Sequence, residues 1–197
     1  MIYELLKDIK GGIVQIGGHV ASTDDPVYRA IKDFGIRALI AEPNSESFKG
    51  ICSLYAGCSV NCVRAAIAEK TGTVSFYAVG GKGGIGWSSL SRDHISDKMI
   101  QRRVEVPIQE VSVASFTLED FLDKYLDFKM GAFLCDAEGY DYKVMKQLDL
   151  EKHHPSVACY EHCHITQAEN SDCIKKLKES GYEIHKTKLN VIGKTDD

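Results

Sequence analysis

The residues best suited to chemistry lie in Asp136-Ala137-Glu138-Gly139-Tyr140-Asp141, where three carboxylates and a glycine follow the apolar run Ala132-Phe133-Leu134-Cys135. An acid that ends a buried strand faces the crevice at the carboxyl edge of a parallel sheet, where ligands bind in open α/β folds. Glu138 and Asp141 also suit the first turn of a helix, whose dipole favours carboxylates, so capping is the alternative reading of each. Glu161-His162 closes a second apolar run, Ser156 to Glu161. A histidine is matched to neutral pH as a base, whereas a carboxylate needs burial to raise its pKa. The candidate bases are Asp136, Glu138, Glu161 and His162, with Asp136 favoured and Glu161 expected to face it across adjacent strands. A strand-end pair satisfied by loop amides is the other reading of Glu161-His162.

A binding site is suggested nearer the start. The run Gly12-Ile13-Val14-Gln15-Ile16 breaks into Gly17-Gly18-His19, and Ala38-Leu39-Ile40-Ala41 ends in Glu42 about 25 residues after the glycines. Glycines after a strand let backbone approach a ligand closely, and an acid at the tip of the next strand can take a ribose diol, which together suit a nucleoside. A tight turn is the competing reading of Gly17-Gly18 alone.

Seven cysteines, an odd number with no Cys-x-x-Cys pair, fit reduced thiols, and Cys62, Cys135 and Cys159 fall in apolar runs where cysteine acts as a small hydrophobe. Glu161-His162-Cys163-His164 crowds metal-ligating types together. In an extended strand alternate side chains point to opposite faces, so all four cannot meet one ion, and no metal site is expected. The segment Gly80-Gly81-Lys82-Gly83-Gly84-Ile85-Gly86 is not a phosphate loop, because no Ser or Thr follows Lys82. It reads as a mobile loop in a stretch without clear periodicity to Arg103, either facing the substrate or a plain insertion.

The elements that must position these residues alternate short apolar runs with amphipathic stretches, the pattern of a parallel sheet covered by helices on both faces. Strands are expected at Ile13 to Ile16, Ala38 to Glu42, Val60 to Ile67, Thr73 to Val79, Val104 to Val113, Ala132 to Asp136 and Ser156 to Glu161, with a closing pair at Tyr182 to Lys186 and Leu189 to Gly193. Asp25-Pro26, Thr117 and Ser171 supply helix starts, the last helix running through Lys178 to Gly181. The chain of 197 residues suits one domain, residues 1–197, with no interdomain linker. No apolar stretch approaches the roughly 18 residues of a membrane span, and Met1 to Lys10 lacks the apolar centre of a signal peptide, so a cytoplasmic protein is expected. A net charge of -4 gives no general attraction to nucleic acid or membrane, and Lys175, Lys176 and Lys178 read as a solvated helix face.

Taken in order along nearly the whole chain, seven segments resemble the FkbM-type S-adenosylmethionine-dependent methyltransferases: Gln15-Ile16-Gly17-Gly18-His19-Val20-Ala21, Glu42-Pro43-Asn44, Ala65-Ala66, Ser88-Ser89-Leu90, Thr117 to Phe121, Cys135 to Asp141, and Glu161-His162. The resemblance implies a class I methyltransferase, Rossmann-like α/β fold: a mostly parallel seven-stranded sheet with helices on both faces and its last strand antiparallel. It implies S-adenosyl-L-methionine as cofactor, held by Gln15, Gly17, Gly18, His19, Glu42, Pro43, Ala66 and Asp136, with the glycines beneath the methionine part, Glu42 on the ribose and Asp136 at the reacting end. The implied acceptor is a hydroxyl of a sugar, another small molecule or a glycan.

Three positions depart from the family pattern. Gln15 stands where the family has an acid, His19 where it has Asn, and Ala21 where it has Gly. A neutral glutamine gives up a charge-assisted bond to the cofactor's ammonium group. A non-catalytic binding protein of the same fold is therefore the alternative function. A dinucleotide oxidoreductase fits less well, because Gly17-Gly18-His19-Val20-Ala21 is out of register with Gly-x-Gly-x-x-Gly.

Overall fold

The computed structural model of the chain describes residues 1–18, 22–79 and 85–195. Its strands are β1 (Gly12–Ile16), β2 (Ala38–Ala41), β3 (Val60–Val63), β4 (Ala66–Ile67), β5 (Gly72–Val79), β6 (Ile108–Phe116), β7 (Met130–Cys135), β8 (Val157–Glu161), β9 (Glu183–Lys186) and β10 (Asn190–Lys194). Its helices are α1 (Ile2–Leu6), α2 (Pro26–Phe34), α3 (Ser45–Leu54), α4 (Arg92–Arg102), α5 (Leu118–Tyr125), α6 (Asp141–Gln147), α7 (Leu150–His153) and α8 (Gln167–Glu179).

Seven strands form one sheet in the order β3-β2-β1-β7-β8-β10-β9. The pairs from β3 to β8 are parallel, while β10 runs antiparallel to both β8 and β9. This is the class I methyltransferase arrangement with an antiparallel strand inserted last. Residue alternation sends the two faces of the sheet into separate cores. Val14, Ile16, Leu39, Ala41, Phe133 and Cys135 pack with residues of α5, α6 and α8, whereas Ile13, Ile40, Ala132 and Leu134 pack with residues of α1, α2 and α3. Both faces are dry, which explains why β1, β2 and β7 read as continuous apolar runs rather than alternating ones.

The expected strand Val60 to Ile67 is two strands in two sheets. β3 joins the main sheet, Arg64 and Ala65 turn the chain, and β4 pairs with β6 in a separate sheet of order β4-β6-β5. The strand placed at Val104 to Val113 begins only at Ile108, because α4 reaches Arg102 and ends on Arg103 at φ 53. Helix α4 lacks a readable apolar stripe: its buried residues are Ile95 and Lys98, and the lysine does not register as core. The last long helix starts at Thr166, not Ser171. Thr166 and Glu169 form a reciprocal capping box, and Ser171 lies inside the helix with its hydroxyl donating to Gln167 O. Asp25 and Thr117 cap their helices as the sequence suggests.

Lys176 departs from the solvated face expected for the lysine cluster. Its Nζ donates to Met145 O and Lys146 O, satisfying carbonyls at the end of α6. All seven cysteines are free thiols, and burial pushes those of Cys62 and Cys159 up to about 12 and Cys135 well above its ordinary value. Among the described residues, no helix is long and apolar enough to cross a membrane.

Candidate active site

The parallel ladders bring the ends of β1, β2, β7 and β8 to one edge. Asp136 N donates to Ile16 O and Gly17 N to Ala41 O, each at 2.9 Å, so hydrogen bonding continues one residue past the strands. Gly17 lies so close to the neighbouring chain that a Cβ there would sit 1.8 Å from Asp136 O, and its φ of +83° excludes most other residues. The glycine turn is thus a requirement of the strand-end geometry.

A cleft opens at this edge. Gly17, Glu42, Pro43, Ala66, Asp136 and Glu138 line it, and Ile67, Phe76 and Leu90 supply apolar wall. Glu42 is buried, with Oε2 accepting from Gly18 N at 3.0 Å and Oε1 from Asn44 N at 2.7 Å. Its carboxylate therefore pins the β1 turn to the start of α3 while facing the cleft. Gln15 ties the same turn rather than lining the cleft: its Nε2 donates to Gly17 O at 3.1 Å, and its buried Oε1 has no hydrogen-bond partner among the described residues. His19 and Ala21 lie outside the described residues, as do Gly80 to Gly84.

The far wall comes from the insertion between β5 and β6. Ser88 Oγ accepts from Asn44 Nδ2 and Val79 N, and Ser89 Oγ donates to Glu138 O at 2.8 Å. The Ser88-Ser89 pair thus fastens the insertion to the β2 and β7 ends at once. The stretch to Arg103, expected as an unstructured loop, contains a short 3₁₀ turn at Ile85–Trp87 and then α4.

Acids dominate the β7 and β8 ends. Tyr160 pairs with Cys135, which sets Glu161 beside Asp136 on the next strand, as the sequence suggests. Burial first, and then the Asp136 charge, push the Glu161 carboxyl up to about 7. The same two causes raise Asp141 to about 7 at the first residue of α6. Glu138 behaves differently. Burial draws its carboxyl upward, but hydrogen bonds from His94 and Lys98 outweigh that and leave it below the ordinary carboxylate range.

Glu138 is not a helix cap. Its φ is +50°, and its Oε2 meets His94 Nε2 at 3.3 Å and Lys98 Nζ, both from α4. A Cβ on Gly139 would lie 2.7 Å from His94 Nδ1, so the glycine makes room for that ring. His162 turns away from this group: its backbone N–H donates to Leu189 O, and its Nε2 lies 3.2 Å from Thr187 O in the β9–β10 connection. The ring that approaches is His164, 4.8 Å from His94 between centroids and at 75° to it. Burial and the nearby Lys98 hold the His164 imidazole neutral, with its pKa lowered to about 4.

His94 and Lys98 carry no signal in the sequence. His94 and Lys98 are four residues apart and share one face of a helix, a spacing that is visible only once α4 is assigned. His164 was set aside because strand alternation was extended past the end of β8. The strand stops at Glu161 and the chain turns at Cys163-His164, so ligating atoms of Glu161, Cys163 and His164 lie within 4.8 Å of one another.

The model of the methyltransferase FkbM domain matches residues 15–184. Curated proteins provide no significant match. A ribosomal protein L11 methylase from Lactobacillus delbrueckii subsp. bulgaricus is similar in structure, with 11% identity, a TM-score of 0.47, and coverage of 97% of this chain and 72% of the other. A precorrin-6y C5,15-methyltransferase from Geobacter metallireducens GS-15 also matches, with 11% identity, a TM-score of 0.48, and coverage of 99% and 85%.

Proposed function

The chain belongs to the methyltransferase FkbM domain family, and we propose that it transfers a methyl group from S-adenosylmethionine to a hydroxyl of a sugar, another small molecule or a glycan. One observation carries this reading: a buried carboxylate, Glu42, faces the cleft at the carboxyl edge beside a glycine turn that tolerates no side chain. That pairing fits a nucleoside with a charged tail, since the acid accepts from a ribose diol while bare backbone passes close to the ligand. Phe76, Ala66 and Ile67 offer the dry wall a base needs.

Gly17, Gly18, Glu42, Pro43 and Ala66 would hold the cofactor, which supplies an electrophilic methyl on sulfur. Methyl transfer is an in-line displacement, so the protein's main contribution is to align the acceptor, worth several kcal/mol of barrier. A hydroxyl acceptor must also lose its proton. Asp136, in the cleft wall, would orient the hydroxyl and accept its proton, with Glu161 beside it on β8. Glu138 is committed to His94 and Lys98 and serves to fix α4 over the cleft. No general attraction to nucleic acid or membrane is assigned, and the cytoplasm is the proposed location.

The test is a screen with methyl-labelled S-adenosylmethionine against hydroxylated small molecules and oligosaccharides. Label appearing on oxygen of one acceptor class, dependent on Asp136, supports the reading. Cofactor binding without transfer to any acceptor favours the non-catalytic binding protein, which the neutral Gln15 makes the second reading.

A further inference from the structure

We propose that His94, Glu138 and His164 form a binding site for a divalent transition metal of the zinc type, for which Lys98 is the built-in competitor. The ligating atoms of these three residues lie within 4.8 Å of one another. His94 Nε2 and Glu138 Oε2, in hydrogen-bond contact at 3.3 Å, are also spaced as two ligands along one edge of a tetrahedron with metal–ligand bonds of about 2.0–2.1 Å, an edge of roughly 3.3–3.4 Å.

The cluster is assembled from three separate parts of the chain and held in place. α4 brings His94, the β7 end brings Glu138, and the turn after β8 brings His164. Gly139 clears space for the His94 ring, and the two imidazoles stand at 75°, so their nitrogens can converge without stacking. Two imidazoles and one carboxylate with a further position open are the ligand set of catalytic zinc, and nitrogen donors disfavour magnesium or calcium. The side chains keep 11%, 12% and 23% of their surface exposed, which leaves an entry path. Lys98 Nζ reaches the same Glu138 oxygen, so a metal cation must displace an ammonium group to bind. Glu138 also lines the cleft, and an ion there would lie beside the acceptor end.

The inference concerns metal binding alone and is tested without methyl transfer. Chelator-treated protein under reductant is titrated with Co²⁺, followed by visible d–d absorption, and the bound Co²⁺ is then displaced with Zn²⁺. One saturable site without thiolate charge-transfer bands is expected. His94→Ala and His164→Ala should each weaken it by at least roughly 100-fold, the upper end for losing even an outer-shell partner. Lys98→Met should tighten it by about tenfold or more by removing a like charge at contact distance. Circular dichroism of each variant confirms folding, and the His164 change, in a turn, is the one least able to unfold the chain. Absence of a saturable band, a band unchanged in both histidine variants, or affinity not raised by Lys98→Met would each overturn the proposal.

Discussion

Asp141 gives a prediction whose sign is opposite to the usual effect of altering a buried polar residue. The side chain is fully buried at the first position of α6. Its Oδ1 accepts from Ala137 N at 3.2 Å, whereas Oδ2 has no hydrogen-bond partner among the described residues. Burial, reinforced by the Asp136 charge, raises the carboxyl from 3.8 to about 7. A folded pKa above the unfolded one means stability that is fully present below about pH 4 and lost as pH rises through about 7. At 1.36 kcal/mol per pH unit the full effect is about 4 kcal/mol, of which more than half falls between pH 5 and pH 8. Asp141→Asn keeps an acceptor for the Ala137 amide and removes the charge. Urea unfolding at pH 5 and pH 8 should show the wild type losing more stability than the variant by about 2–3 kcal/mol, with the variant the more stable protein at pH 8. Glu161, raised by burial and the Asp136 charge and to a smaller extent by Asp141 itself, adds to the slope in both proteins, and the part it owes to Asp141 disappears with the variant in the same direction. Equal pH dependence in the two proteins would refute the account of a carboxylate forced into an acidic, dry strand end.

Gly17→Ala should cost more than about 2 kcal/mol of stability and abolish cofactor binding, since its Cβ would meet Asp136 O at 1.8 Å and its φ is +83°; thermal melting and calorimetry read the two effects. Asp136→Asn should leave cofactor affinity nearly intact while lowering the methyl-transfer rate by about 100-fold or more, measured on the acceptor identified by labelled-methyl screening. Thr166→Ala removes the α8 capping box and should cost about 1 kcal/mol in denaturant unfolding, with no effect on cofactor binding.

The seven-stranded sheet was legible because its central strands are dry on both faces. Runs such as Ile13 to Ile16 and Ala132 to Cys135 are short, apolar and ended by Gly17 or Asp136, signals that survive without any tertiary knowledge. The second sheet was not legible, because Val60 to Ile67 is one extended run whose division depends on a turn at Arg64-Ala65 with neither glycine nor proline. Helix α4 escaped for a related reason. It packs through Ile95 and a buried lysine, and Lys98 is tolerated inside only because Glu138, 40 residues later, neutralises it. The cleft residues at the strand ends were readable as acids and glycines that break apolar runs. The partners from α4 were not, since His94 and Lys98 acquire their roles from long-range contacts with Glu138.

Calorimetric titration of S-adenosylmethionine into the wild-type protein and Glu42→Ala decides whether Glu42 holds the cofactor at the carboxyl edge. Wild-type binding is expected at one site, and the variant should bind more weakly by about 1–3 kcal/mol, the cost of leaving a buried polar partner unmatched. Glu42→Gln, which keeps an acceptor for only one of the Gly18 and Asn44 amides, should loosen the turn and lose part of the same affinity. Absence of binding by the wild type, or equal affinity in wild type and Glu42→Ala, would contradict a cofactor held at the carboxyl edge of the sheet by Glu42.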